Sequence, residues 1–313
     1  MFHSAFHSAR VRRVAATVAV GATLLGLCAC GSKRSDSVAS TTSAVPATTS
    51  VGGGTLSGRF GALERRFGAR LGVFALDTGS GRTVEYRADE RFAFCSTFKA
   101  LEAGAILATA GPAELERRIS YTATDFTAYA PIARQHVADG MTVRELLDAA
   151  VRYSDNTAAN LLFGLLDGPP GLQRDLRNLG DQVTRSDRVE PALSQAVPGD
   201  PRDTSTPRAI AADLRAYVLG NTLPTDGRAL LTTMLRTNTT GAGLIRAGVP
   251  ADWVVGDKTG NGDYGTRNDI AVLWPPHRAP LVLAVMSTRG GRDDSFDNAL
   301  IAQSANVAVT ALS

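Results

Sequence analysis

The sequence predicts an α/β fold of two lobes, in which both ends of the folded chain build one sheet and a helical domain is inserted between them. Two observations carry this expectation. Short apolar, β-rich runs occur early, at residues 71–75 and 83–86, and again late, at 253–257, 269–274 and 281–286. The long stretch between them places its apolar residues at helical spacing, most clearly over 142–152, 157–166 and 207–219. A sheet drawn from both ends, beside a separate helical lobe, leaves a cleft between lobes as the natural ligand site.

The length of 313 residues, 44% hydrophobic and 20% charged, suits one large globular domain or two small ones. Aromatic residues make up only 6%, so Ala, Leu, Val and Ile must fill the core. The first element is a leader. Arg10, Arg12 and Arg13 precede an apolar run over residues 14–27, too short to span a bilayer and suited to a signal-peptide core. Residues 1–30 hold three of the 33 basic residues and no acid, so the rest of the chain balances 30 basic against 30 acidic residues. A near-neutral mature protein argues against a nucleic-acid partner. The run ends in Leu27-Cys28-Ala29-Cys30-Gly31-Ser32, which resembles a bacterial lipoprotein cleavage box with Cys30 as the lipidated residue. The expected product is exported, as a lipid-anchored membrane lipoprotein or, if the leader is a plain secretory signal, as a secreted protein.

Residues 31–56, mostly Ser, Thr, Ala, Val and Gly, read as a flexible tether, and the folded part is expected over 57–313. A helix over 59–67 comes first. Two strands follow, joined by the turn-rich Asp77-Thr78-Gly79-Ser80-Gly81. Residues 96–110 read as a helix that Ser96 could cap. After the helical middle, residues 185–203 contain three prolines and no sustained period, so they read as a long loop, often a functional element. The late strands and a closing helix over 294–312 complete the chain.

Beyond the leader the only cysteine is Cys95 and the only histidines are His136 and His277. An internal disulfide is excluded, and neither a metal site nor any cofactor is expected. The positive charge is almost all arginine: 30 Arg against three Lys, namely Lys33, Lys99 and Lys258. A GC-rich genome explains that skew but not the survival of two lysines in the folded part. An amine can lose its proton near neutrality when buried or placed beside another cation, whereas a guanidinium cannot. Lys99 and Lys258 are therefore the first candidates for chemistry.

Lys99 lies in Ser96-Thr97-Phe98-Lys99, one helical turn from Ser96, within reach of a hydroxyl that needs a base to become nucleophilic. Lys258 opens Lys258-Thr259-Gly260, followed by Asn261-Gly262, where the two glycines allow close backbone approach to a ligand. Ser154-Asp155-Asn156 lies between two helical stretches. Each motif alone fits a bland reading as a cap, a strand-end turn or an N-cap cluster. Together and in this order they form a specific signature.

On these three motifs residues 57–313 resemble a class A serine β-lactamase. The resemblance implies an antiparallel five-stranded sheet flanked by helices, an all-helical lobe and an active site between them. The long loop, with Arg185-Ser186-Asp187-Arg188-Val189-Glu190-Pro191, resembles the family's omega loop, clamped by an Arg188–Asp203 ion pair. By this resemblance Ser96 is the acylated nucleophile, and its N–H and that of Asn261 form the oxyanion hole. Lys99, or Glu190 through a water, is the acylation base. Ser154 passes a proton to the lactam nitrogen beside Lys258, Asn156 holds the substrate's side-chain amide, and Glu190 activates the deacylating water. Thr259 and Arg267, the latter in Gly265-Thr266-Arg267, match positions that bind the substrate carboxylate; Gly260 belongs to the same strand motif, and Tyr129 matches an aromatic at the mouth.

Three residues depart from the family pattern. Ser194 stands where Asn usually helps hold the deacylating water, and Asn261 replaces a small or hydroxyl residue. Cys95 lacks the cysteine partner near Gly262 found in some carbapenem-hydrolysing relatives. The implied activity is hydrolysis of penicillins and cephalosporins by a monomer without cofactor, touching a membrane only through an N-terminal anchor. The alternatives are a penicillin-binding DD-peptidase, which lacks a loop glutamate such as Glu190, and a β-lactam sensor that stays acylated.

Overall fold

The computed structural model describes residues 53–313. The expected leader over 1–30, with Cys30, and most of the expected tether lie outside the described residues. Eight helices of eight residues or more occur among the described residues: α1 (Gly53–Phe67), α2 (Phe98–Thr109), α3 (Val143–Arg152), α4 (Asn156–Phe163), α5 (Pro169–Asn178), α6 (Pro207–Val218), α7 (Thr225–Arg236) and α8 (Asn298–Leu312). The main sheet contains β1 (Arg70–Asp77), β2 (Thr83–Tyr86), β3 (Val254–Gly262), β4 (Thr266–Trp274) and β5 (Leu281–Thr288), in the order β2-β1-β5-β4-β3.

Every pairing in this sheet is antiparallel. The two chain ends meet where β1 pairs with β5, from Arg70 opposite Thr288 to Asp77 opposite Leu281. Both faces of the sheet are covered, which is why its strands read as unbroken apolar runs rather than alternating ones. In β5, Leu281, Leu283 and Val285 enter a core shared with α1 and α8, while Val282, Ala284 and Met286 enter the larger core shared with the helical lobe. Helix α6 lies on that second face, and α2 packs against α3, α4, α5, α6 and α7 behind it.

Side-chain caps set four of the eight helix starts. Thr142 and Glu145 form a capping box at α3, Asp155 caps α4, Thr206 caps α6 ahead of Pro207, and Asp297 caps α8. Four boundaries differ from expectation. Helix α1 begins at Gly53, inside the stretch read as tether, and Leu56 is buried. The last helix starts at Asn298 rather than 294, because Asp297 supplies the cap. Ser96 caps no helix: Cys95–Thr97 form a turn of 3-10 helix that leads into α2, and no side chain caps either piece. Lys258 lies inside β3 and not at a strand end, since that strand continues through Gly262. The polar residues Lys258, Thr259 and Asn268 hid the inner parts of β3 and β4 from an apolar pattern, yet all three are buried.

Helix α2 crosses α6 closely at Gly104, where an added Cβ would come within 2.4 Å of the Tyr217 ring. Tyr217 is fully buried and has no room to retreat. Gly104→Ala is therefore expected to destabilise the protein by about 1–3 kcal/mol through overpacking, read as a lower denaturation midpoint at unchanged m-value.

Candidate active site

The nucleophile candidate sits on a constrained turn. Cys95, a non-glycine residue, takes φ +46°, and Ser96 follows at the foot of α2. Strand β3 is the sheet's edge and runs past this turn. Gly260 makes the approach possible: a Cβ there would lie 2.9 Å from the Phe94 carbonyl and 3.2 Å from the Ser96 nitrogen. A Cβ on Gly262 would meet the Ser194 carbonyl at 2.4 Å and Cys95 Sγ at 2.8 Å. The two glycines thus admit other parts of the protein itself, and Gly262 also lines the cleft.

Lys99 reaches back one turn, and its Nζ donates to Ser96 Oγ at 2.9 Å, to the Ser154 carbonyl at 2.8 Å and to Asn156 Oδ1. From the sheet side, Lys258 Nζ donates to Ser154 Oγ at 3.0 Å and to the Thr259 carbonyl at 2.9 Å. Ser154 is held between the two amines in a left-handed conformation, φ +58°. Both lysines are fully buried. Burial pushes the Lys99 amine down to about 8, against the opposing charges of Glu190, Glu102 and Asp155. Burial also drives Lys258 well below its ordinary range, and the Lys99 charge adds to the effect.

Glu190 approaches from the 185–203 loop. Ser96 Oγ lies 3.3 Å from its Oε1, Ser194 Oγ donates to the same oxygen at 3.0 Å, and Lys99 Nζ is 3.9 Å away. Its second oxygen is buried and makes no hydrogen bond to the protein. The backbone around Glu190 is fixed by Asn160 of α4, whose Nδ2 donates to the Glu190 carbonyl at 2.8 Å and whose Oδ1 accepts its N–H at 3.0 Å. The loop is closed at its base, as the resemblance implied. Arg188 Nε meets Asp203 Oδ2 at 2.5 Å, while Asp203 Oδ1 accepts the N–H groups of Asp187 and Arg188.

These groups line one cleft of about 670 Å³. Every expected site residue except Lys99, Lys258 and Gly260 faces this cleft; those three lie buried directly behind it. Tyr129 stands at its mouth, half exposed at 51%. Arg267 is mostly buried, with its Nε donating to Asn298 Oδ1 at 2.9 Å and its guanidinium 4.6 Å from the Phe296 ring. Thr259 Oγ1 lies 2.6 Å from Thr240 Oγ1. Among the described residues no group of three or more His, Cys, Asp or Glu side chains is placed to hold a metal ion.

The sequence reading missed Asn160, Thr240, Asn298 and Glu102. Asn160 carried a faint signal, one helical turn after Asn156 on α4. Thr240, in the polar turn over 237–241, carried none.

Comparison with known proteins agrees with this geometry. Residues 55–312 match the model of the beta-lactamase enzyme family. A beta-lactamase of Amycolatopsis lactamdurans is 61% identical over 244 residues, spanning 78% of this chain and 81% of that protein. One from Bacillus licheniformis is 52% identical over 244 residues, again 78% of this chain, and 80% of its own length. The crystal structure of a class A beta-lactamase from Clostridium kluyveri DSM 555 superposes with a TM-score of 0.81 at 46% identity, covering 82% of this chain and 98% of that one. A lysine-flanked serine on an edge-strand cleft, matched over nearly the whole described chain by these proteins, places the chain in the beta-lactamase enzyme family as a class A serine β-lactamase.

Proposed function

We propose that this β-lactamase hydrolyses penicillins and cephalosporins through an acyl-enzyme on Ser96, which Glu190 then helps water to cleave. The observation that carries the reading is the convergence of Lys99 and Glu190 on one hydroxyl, Ser96 Oγ, at 2.9 and 3.3 Å. In the first half-reaction the Ser96 oxygen attacks the lactam carbonyl and gives its proton to Lys99, or to Glu190 by way of a water. The carbonyl oxygen gains charge against the N–H groups of Ser96 and Asn261, donors of a kind worth about 2.7–4 kcal/mol each. The C–N bond breaks, and the leaving nitrogen takes the Ser154 hydroxyl proton, which the flanking amines of Lys99 and Lys258 replace. Their charges also hold that cleft electropositive toward the substrate carboxylate, which Arg267 and Thr259 bind. Asn156 Oδ1 is engaged by Lys99, leaving its amide N–H₂ for the substrate's side-chain carbonyl.

In the second half-reaction Glu190 takes a proton from water, the hydroxide attacks the ester, and Ser96 leaves with its proton restored. Ser194 commits its hydroxyl to Glu190 directly, so holding the water falls to Glu190 and Ser96. Asn261, at the exposed end of β3, stands beside the bound antibiotic and is assigned to substrate selectivity. For the full chain we propose export, with residues 1–30 as leader, 31–52 as tether and Cys30 as lipid anchor; no helix among the described residues is long and apolar enough to cross a membrane.

With a chromogenic cephalosporin the wild-type protein is expected to turn over many equivalents; a single equivalent of colour with a lasting adduct would favour the sensor or peptidase readings. Glu190→Ala is expected to lower kcat by about 10²–10⁴ and to accumulate a covalent adduct visible by mass spectrometry, which Ser96→Ala cannot form. Arg267→Ala is expected to raise KM for carboxylate-bearing substrates by roughly tenfold, the worth of one charge-assisted contact, in steady-state assays. Mass spectrometry of the native N-terminus tests the anchor: a diacylated or triacylated Cys30 is expected, and an unmodified N-terminus refutes it.

A further inference from the structure

One buried ionisable group has no part in the mechanism above. Glu102 lies on α2 one turn beyond Lys99, as Lys99 lies one turn beyond Ser96, so the three follow one another along the same side of the helix. Glu102 is fully buried, and neither of its carboxyl oxygens makes a hydrogen bond to the protein. Its neighbours on the helix are apolar or small, and nothing in the packing requires an acid there. The charged groups that act on Glu102 are Lys99 from its own helix and Glu190 from the loop. Asp155, before α4, and Cys95 act in turn on Lys99, whose charge is also felt by Lys258.

A buried region of low polarity tolerates charge only when it is balanced. Asp155 is already held by the N–H groups of Ile132, Ala133 and Ala158, and Lys258 by the Ser154 hydroxyl and the Thr259 carbonyl. Among the remaining Lys99 ammonium and the carboxyls of Glu102 and Glu190, balance requires one carboxylate and one carboxylic acid. Hydroxyl donors decide which is which. The Ser96 and Ser194 hydroxyls both face Glu190 Oε1, at 3.3 and 3.0 Å, and no donor faces Glu102. Hydrogen bonds favour the charged form, so the spare proton belongs on Glu102. Burial acts the same way, raising the Glu102 carboxyl well above its ordinary range, with Lys99 opposing and Glu190 reinforcing.

We propose that Glu102 is a positioning residue of the hydrolytic site: it carries the proton that leaves Glu190 free to accept one from water, and by releasing that proton in basic solution it keeps Lys99 charged. The proposal rests on the second of the two routes given above, in which Lys99 stays an ammonium donating to Ser96 Oγ and Glu190 takes the serine proton by way of a water. No bond to substrate is involved; the proton moves between Glu102 and solvent, and Glu102 exchanges one negative charge for it.

The scarcity of lysine makes the test direct. With only Lys33, Lys99 and Lys258 in the chain, a protein labelled with ¹³Cε-lysine gives three side-chain signals, and Lys99 can be followed through a pH titration by NMR. In Glu102→Gln, which has nearly the same shape but cannot become an anion, the Lys99 midpoint is expected to fall by about half a pH unit or more relative to wild type. Coincident midpoints in the two proteins would overturn the proposal, because a residue that only fills space leaves Lys99 unmoved. A measurement on the wild type alone guards against a variant that does not fold. With δ-¹³C-glutamate labelling, one glutamate carboxyl is expected to remain protonated at neutral pH, and a protein whose glutamates are all ionised there would refute it. Neither readout requires turnover. Loss of hydrolysis by the wild type would therefore sink the functional reading, while normal hydrolysis with an unmoved Lys99 would sink only the role of Glu102.

Discussion

Two amines are held out of water on either side of a single serine hydroxyl, and most of the architecture follows from keeping them there. Ser154 receives hydrogen bonds from Lys258 and from Lys99, and the amines come from different lobes: one from an edge strand, the other from the helix at the centre of the helical lobe. Burying an ammonium is costly unless its protons find acceptors. Here the acceptors are supplied by Ser96, Asn156 and the carbonyls of Ser154 and Thr259, so each amine is satisfied by groups that also belong to the cleft. Satisfying the lysines and assembling the site are one structural event.

The same economy explains the two approaches that look least tolerant of change. An edge strand can lie against the Ser96 turn only because Gly260 has no side chain. The loop that brings Glu190 is mostly irregular, yet it is pinned at its base by Arg188 and Asp203 and at its working end by Asn160. Irregular backbone placed by a few strong contacts is how a loop can position a reacting group as well as a helix does.

Much of this was legible in the residues. Lys99 and Lys258 stood out because the chain otherwise uses arginine, Ser96 followed from lying one helical turn before Lys99, and Ser154 followed from the resemblance that the three ordered motifs carry. The Arg188–Asp203 pair was legible through the likeness of the loop to the family's omega loop. The strand ends were less visible: β3 and β4 continue into Lys258, Thr259 and Asn268, whose burial is set by the site rather than by hydrophobicity, so an apolar pattern stops too early. Ser96 was read as a helix cap because a capping serine and a nucleophilic one look alike before the 3-10 turn is seen. Asn160 and Thr240 act through contacts between segments distant in sequence, which no local pattern records.

The fate of the lysines also decides how the protein meets reagents. Neither lysine in the described chain reaches solvent, and every cation on its surface is a guanidinium. An amine-seeking dye, cross-linker or immobilising resin finds nothing to grip on the folded domain and is confined to the segment ahead of it, where Lys33 lies. A lysine-specific protease would likewise find both of its cleavage points among the described residues sealed inside the fold.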